Sequence, residues 1–91
     1  MSHADLASLP NLGAVIADEL IRAGVTTPQR LKEVGSVEAT RRIAAFGYED
    51  CYTLLFALEG AIRRVRWYRV PKEERADLKL RFDAVTKGAG S

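Results

Sequence analysis

The sequence predicts an all-α domain, a compact bundle of about five to six helices, most of them short. Apolar residues recur three and four positions apart, most clearly between residues 51 and 65. Three glycines, Gly24, Gly35 and Gly47, interrupt this pattern at intervals of about one short helix. No stretch alternates polar and apolar residues for long enough to predict a strand.

The chain of 91 residues suffices for one domain with a single modest core. We place this core at residues 5–86 and expect a frayed, glycine-rich tail over residues 87–91. A composition of 47% hydrophobic and 29% charged residues is typical of a soluble globular protein. We expect no membrane span and no signal peptide, and the single cysteine, Cys51, fits a cytoplasmic location. The net charge of +2 is too small to select a nucleic acid as the partner.

The N-terminal half begins with two predicted helices joined by a tight turn. Leu6 and Leu9 are spaced to share one face of a short first helix. Pro10 and Asn11 form the turn, because proline lacks an N–H and asparagine tolerates a left-handed backbone. The second helix starts at Ala14, with apolar residues at positions 16, 17, 20 and 21. This arrangement resembles a helix-hairpin-helix, in which hairpin N–H groups hold an anion such as a nucleic-acid phosphate.

The hairpin is the first candidate binding site. The backbone N–H groups of Leu12 and Gly13, flanked by Asn11 and Ala14, are the predicted phosphate donors. Basic residues that would add positive charge are Arg22, Arg30 and Lys32. The alternative is a compact turn that only starts the second helix and buries Leu12.

Two shorter helices follow the hairpin helix, which ends at Gly24. Thr27 is the expected N-cap of a helix over residues 29–34, and Ser36 is the expected N-cap of a helix over residues 37–46. The inner face of the latter is predicted to consist of Val37, Thr40, Ile43, Ala44 and Gly47.

The longest predicted helix follows Asp50, its expected N-cap, and runs from residue 51 to about residue 67. Its apolar residues are numerous enough to bury two sides of its first half. Gly60 lies in mid-helix, where it costs roughly 1 kcal/mol relative to alanine. We expect a close contact between Gly60 and the hairpin helix, at Ala14 and Ala17, to compensate for this cost.

A final helix begins at Pro71, a residue well suited to the first helical position. Glu73 and Glu74 lie in its first turn, where the helix dipole favours negative charge. Its predicted inner stripe consists of Leu78, Phe82 and Val85.

The second candidate site is the acid-free segment of residues 63–69. Its arginines and aromatic residues are Arg63, Arg64, Arg66, Arg69, Trp67 and Tyr68. On a continuing helix, arginines sharing a face would clamp a nucleic-acid backbone or grip an acidic protein surface, with Trp67 and Tyr68 as the partner interface. The alternative is a basic helix end in which Trp67 packs in the core and Glu59 pairs with Arg63.

The residue inventory does not predict an enzyme. The only histidine, His3, lies in the N-terminal tail, so Cys51 has no evident base partner. Adjacent carboxylates fall on different helix faces, and no Cys/His cluster predicts a metal site. We expect neither catalysis nor a cofactor.

Several blocks of the sequence form a further pattern. They are Leu9-Pro10-Asn11-Leu12-Gly13, residues 20–24, Thr27-Pro28, Leu31, Gly35, residues 54–61, Trp67 and residues 71–75. Together they resemble the C-terminal domain of the TfoX/Sxy family over residues 6–80, with Arg64 at a position where a small residue is expected. Full-length members carry an N-terminal α/β domain, so the chain is expected to be a stand-alone copy of the C-terminal domain.

The resemblance implies a bacterial regulator of competence genes, the machinery for DNA uptake and transformation. Full-length members act with the cAMP receptor protein at promoters. For this chain it implies a non-enzymatic module that contacts DNA, or a DNA-bound transcription factor, through the hairpin and the basic segment. The alternative is a protein–protein interaction or self-association module, as a homodimer, without nucleic-acid binding.

Overall fold

The computed structural model describes the backbone of residues 2–90 and the side chains of residues 4–86. Its elements in order are α1 Ser2–Ala7, α2 Ala14–Arg22, α3 Pro28–Val34, α4 Ser36–Ala44, α5 Cys51–Arg63, a 3-10 turn Trp67–Arg69, and α6 Lys72–Gly90. The described backbone contains no strand, which confirms the predicted all-α class. Within this part of the chain, no helix combines the length and apolarity needed to cross a bilayer.

The predicted hairpin is present at the N-terminus. Helices α1 and α2 pack against each other across a turn in which Asn11 has a φ of 70°, the left-handed conformation expected there. Leu6 and Leu12 are buried on either side of this turn. Leu9 is also buried, but α1 ends at Ala7, so Leu9 belongs to the turn and not to the first helix.

The predicted helix boundaries at Gly24 and Thr27 are confirmed by their hydrogen bonds. Gly24 has a φ of 84°, and the N–H of Val25 donates to the carbonyl of Leu20 at 2.8 Å, which closes α2. The Thr27 hydroxyl accepts a hydrogen bond from the backbone N–H of Arg30 at 3.0 Å at the start of α3.

Ser36 and Asp50 do not make the predicted caps. Ser36 is the first residue of α4, and its hydroxyl donates to Oε1 of Glu59 on α5 at 2.6 Å. Asp50 takes the N-cap position of α5 without a side-chain hydrogen bond to the helix. Helix α4 also ends at Ala44, before the predicted end at residue 46. At Ser36 a partner on another helix has replaced the local cap.

Helix α5 is the centre of the fold and separates two hydrophobic clusters. Leu54, Leu58 and Ala61 belong to the larger cluster, together with residues of the hairpin, α3 and α4. On the other side, Leu55 belongs to a smaller cluster, whose other buried members are Val70, Leu78 and Phe82. The prediction that two sides of α5 are buried is therefore confirmed.

Helix α5 ends at Arg63, well before the predicted end near residue 67. Arg64 has a φ of 62°, and the N–H of Val65 donates to the carbonyl of Gly60 at 2.9 Å. This closure usually places glycine at the left-handed position, so an arginine there gives no sequence sign of a helix end. Because the chain then turns into the 3-10 turn Trp67–Arg69, the four arginines do not share a helix face.

Gly60 makes a close contact, but not the predicted one. In the described structure α2, which carries Ala14 and Ala17, makes no close backbone approach to α5. Instead, a Cβ atom on Gly60 would lie 2.5 Å from Nδ2 of Asn11 and 2.7 Å from the carbonyl oxygen of Val65. The missing side chain makes room for the asparagine of the hairpin turn.

Helix α6 packs against α4 and α5 through Leu78 and Phe82, as predicted. Val85 is 41% exposed and does not belong to the inner stripe. The stripe advances by four residues and continues at Thr86, which is half-buried. The predicted frayed tail, residues 87–91, falls where no side chain is described; the backbone is helical up to residue 90, and Ser91 lies outside the described residues.

We expect Gly60→Ala to lower the free energy of unfolding by about 1–3 kcal/mol, because the new methyl group overlaps Asn11 and Val65. This loss exceeds the gain in helix propensity. Urea denaturation followed by circular dichroism measures the change. Gly13→Ala is the control, since a Cβ there meets nothing within 4 Å, and it should be nearly neutral. Equal stability of the two variants would contradict the assigned contact.

A second prediction concerns Glu38, which accepts hydrogen bonds from Arg41 at 2.8 and 2.7 Å and from Arg42 at 2.9 Å. The bonds from Arg41, then Arg42, lower its pKa from 4.5 to about 2. A lowered carboxyl pKa stabilises the fold above the unfolded-state pKa, and this contribution disappears as the pH falls from 4.5 to about 2.

We therefore expect Glu38→Gln to lower the free energy of unfolding at neutral pH by less than about 1 kcal/mol, since the side chain is more than a third exposed. Denaturation curves recorded across the acid range should converge for the two proteins near pH 2. A difference that does not depend on pH would rule out the ion pairs as its cause.

Candidate functional site

The tertiary structure places the two predicted candidate sites beside each other. Residues 8–13 of the turn and residues 64–66 after α5 line one open groove of about 640 Å³, which we term the hairpin groove. Its charged residues are Arg64 and Arg66, and none of the described residues that line it is acidic. The groove thus combines the hairpin backbone with positive side chains that are distant in sequence.

The side chain of Asn11 joins these two parts of the groove. Its Nδ2 donates to the carbonyl of Val65 at 2.9 Å and to that of Ala57 at 3.4 Å. Its Oδ1 accepts a hydrogen bond from the backbone N–H of Trp67 at 3.0 Å. The amide group is therefore occupied inside the protein, and Asn11 positions the groove instead of offering its side chain to a ligand.

The N–H groups of the hairpin differ in their availability. The N–H of Leu12 donates to the carbonyl of Leu9 at 3.3 Å, and the Leu12 side chain is buried. Gly13 is the N-cap residue of α2, and no side chain caps this helix. Gly13 lines the groove and Ala14 is exposed next to it. The available donors are therefore the N–H of Gly13 and those of the first turn of α2, and not that of Leu12.

The four arginines of the basic segment fall into two groups. Arg63 is ion-paired with Glu59 at 2.7 Å and with Glu74 at 2.5 Å. The hydrogen bond to Glu59 is the main cause of a raised pKa of Arg63, whose charge is balanced at the surface by these two carboxylates. The exposed arginines that form no ion pair with a described residue are Arg64, Arg66 and Arg69.

A second cavity of about 570 Å³ adjoins the hairpin groove, with Leu9 and Arg64 lining both. Lys32 and Glu33 of α3 also line this cavity, so one of the three basic residues expected to attract a phosphate shares a cavity with Arg64, together with an acidic residue. The other two are engaged elsewhere: Arg30 pairs with Glu33 at 3.3 Å, and Arg22 pairs with Glu19 at 3.7 Å and stacks on Phe46.

Trp67 and Tyr68 lie on the surface directly after Arg66. Trp67 is 42% exposed and Tyr68 is 62% exposed, so the alternative of Trp67 as a core residue is wrong. Their ring centroids are 5.9 Å apart at an interplanar angle of 84°. The guanidinium of Arg75 lies 5.4 Å from the centroid of the Trp67 ring. The predicted partner interface is thus exposed next to the groove.

The close contact between Asn11 and Gly60 is not predicted from the sequence. The available signals are an asparagine after a proline and a glycine in the middle of an apolar helix. Each signal indicates a local requirement, but neither identifies the other residue as its partner. A contact between positions so distant in the chain depends on how the helices pack.

The sequence profile of the TfoX C-terminal domain matches residues 2–82. The chain is similar to an uncharacterized protein from Listeria monocytogenes, whose crystal structure was solved in a triclinic form. The two sequences are 40% identical, the TM-score is 0.82, and the alignment covers 89% of this chain and 92% of that chain. A protein of unknown function from Listeria monocytogenes, tetragonal form, is 41% identical with a TM-score of 0.79, over 88% of this chain and 98% of that chain. No curated protein matches the chain.

We expect Asn11→Gly to lower the free energy of unfolding by about 1–2 kcal/mol, because the variant leaves Val65 and Trp67 without their hydrogen-bond partner. Glycine accepts the positive φ of this position, so the variant adds no backbone strain to the folded state. Urea denaturation measures it, and the fluorescence of Trp67, the single tryptophan, should change as its segment loosens. Ser8→Ala, which removes an exposed hydrogen bond in the same turn, is the control. An Asn11→Gly protein as stable as the parent would contradict this role.

Proposed function

Because this chain belongs to the TfoX C-terminal domain family, we propose that it is a non-enzymatic regulatory module of the competence-regulator type that contacts DNA through the hairpin groove. The first N–H groups of α2 donate to a backbone phosphate. Arg64 and Arg66 add charge-assisted hydrogen bonds to the same phosphate or its neighbour.

The observation that carries the proposal is the position of Arg64 and Arg66 in one groove with the hairpin, whose described lining residues include no acidic residue. A local concentration of positive charge attracts phosphates even where the net charge is small. The chain has a net charge of only +2, so the charge available for DNA depends on which arginines remain unpaired. Arg63, which is paired twice, makes no contribution.

The backbone conformation of Arg64 supports the same conclusion. Its φ of 62° costs a non-glycine residue about 1–2 kcal/mol, and glycine would close α5 without that cost. An arginine here is exposed and makes no ion pair among the described residues that would offset the cost. Residues with an unfavourable backbone conformation cluster at functional sites. We therefore expect the Arg64 side chain, which lines the groove, to contact a ligand.

A second candidate function is a protein–protein interaction, with a DNA-bound transcription factor or a second copy of the chain. The exposed rings of Trp67 and Tyr68 favour it, since aromatic residues and arginines are enriched in protein interfaces. Such an interface would depend little on salt, whereas phosphate binding weakens steeply as salt increases.

We expect Arg64→Gly to weaken DNA binding without lowering the free energy of unfolding, because glycine is favoured at this φ. Adding Arg66→Ala should make the affinity depend still less on salt. The slope of log K against log salt should become less negative by about 0.9 for each duplex phosphate that the protein no longer neutralises. Arg81→Ala on α6, which removes the same charge outside the groove, is the control and should leave binding unchanged. Fluorescence anisotropy of labelled duplex and single-stranded DNA measures the affinities over a salt series.

Gly13→Glu gives an independent arm of the same experiment. The space around Gly13 is open, so Gly13→Ala and Gly13→Glu should both fold. The carboxylate of the latter would take the place of the phosphate and repel DNA, while Gly13→Ala should bind like the parent protein. DNA binding that survives both Gly13→Glu and Arg64→Gly would show that the groove is not the contact site. Failure of the parent protein to bind either DNA at low salt would end the proposal.

A further inference from the structure

We propose that the nucleic acid in the hairpin groove is single-stranded, and that Trp67 and Tyr68 form the platform on which its bases stack. This inference rests on the proposed function, because it specifies which form of nucleic acid the groove binds. It uses the two exposed aromatic residues that phosphate binding leaves without a role.

The two rings are placed where a strand leaving the groove would meet them. Arg66 lines the groove and directly precedes Trp67, and Tyr68 follows. The backbone N–H of Trp67 is held by Asn11 at 3.0 Å, so the platform and the hairpin are joined by a direct hydrogen bond. A phosphate bound in the groove therefore places its adjoining bases next to the rings.

Both aromatic residues are exposed to solvent. Tyr68 is 62% exposed and Trp67 is 42% exposed. The guanidinium of Arg75 covers part of the Trp67 ring and contributes to its orientation. Trp67 also borders an apolar notch of about 200 Å³ with Thr53 and Phe56, so part of its surface is unobstructed.

The angle between the rings favours a flexible strand over a duplex. The rings are nearly perpendicular, at 84°, so bases stacked on both cannot be parallel. In a duplex the bases are parallel, and their faces are covered by the neighbouring pairs except at the ends. A single strand can rotate about its backbone between successive bases and present a free face to each ring.

The charges beside the platform fit a strand that continues past it. Arg66 precedes the two aromatic residues and Arg69 follows them, and both are exposed without an ion pair among the described residues. Sites that bind single strands typically combine arginines with exposed aromatic residues. The arginines contact the phosphates, and the bases stack on the aromatic rings.

The test uses the single tryptophan, Trp67, as its own reporter. The parent protein is titrated at low salt with a short oligothymidylate and, separately, with a blunt duplex of equal length. We expect the oligothymidylate to quench Trp67 fluorescence and to bind at least about tenfold more tightly than the duplex. Tyr68→Ala should weaken oligothymidylate binding by about tenfold and leave duplex binding unchanged. Phe46→Ala, which removes a 49% exposed ring outside the groove, is the control and should change neither affinity.

The remaining outcomes separate this inference from the proposed function. Duplex binding as tight as oligothymidylate binding, or an equal weakening of both in Tyr68→Ala, would overturn the single-strand assignment while leaving phosphate contact in the groove intact. Oligothymidylate binding that neither quenches Trp67 nor depends on Tyr68 would do the same. Failure to bind either nucleic acid would contradict the proposed function itself and, with it, this inference. A concentration-dependent dimer in sedimentation, absent in Tyr68→Ala, would assign the rings to self-association and overturn the inference.

Discussion

The hydrogen bonds of Asn11 hold the two ends of the candidate site together. One side chain contacts carbonyls at Ala57 and Val65 and the N–H of Trp67, and so joins the N-terminal turn to the segment after α5. These contacts require Gly60, because a side chain there would occupy the same space. Asn11 makes these contacts from a left-handed backbone conformation, with a φ of 70°. Together with the buried contacts of Leu9 and Leu12 with α5, these hydrogen bonds fix the position of the hairpin relative to Arg64 and Arg66.

The ion pairs divide the basic segment into a structural part and an available part. Glu59 accepts from Ser36 and pairs with Arg63, which also pairs with Glu74, so these residues link α4, α5 and α6. The arginines beyond the end of α5 escape such pairing because the chain leaves the helix at Arg64. A continuous helix would have placed them at helical spacing. The early end of α5 therefore determines which positive charges reach the groove.

The family relationship and the structural similarity identify a fold more firmly than a mechanism. The matching proteins from Listeria monocytogenes share about 40% of their residues with this chain, and both are described as uncharacterized or of unknown function. A shared fold does not transfer a binding mode, because function depends on particular residues within a site. The proposed mode of binding depends on Arg64 and the Trp67–Tyr68 pair.

The sequence by itself determines the all-α class, the left-handed turn at Asn11, the cap at Thr27 and the two buried sides of α5. Each follows from local chemistry or from a periodic pattern, which requires no knowledge of distant residues. It does not determine the end of α5, the partner of Gly60, the hydroxyl contact of Ser36 or the pairing of Arg63 with Glu74. Those depend on which helices meet, and only the packed structure decides that. The site follows the same division, because its residue types are visible in the sequence. The meeting of Arg64 and Arg66 with the hairpin is a product of tertiary packing, since Asn11 and the backbone groups that it contacts are distant along the chain.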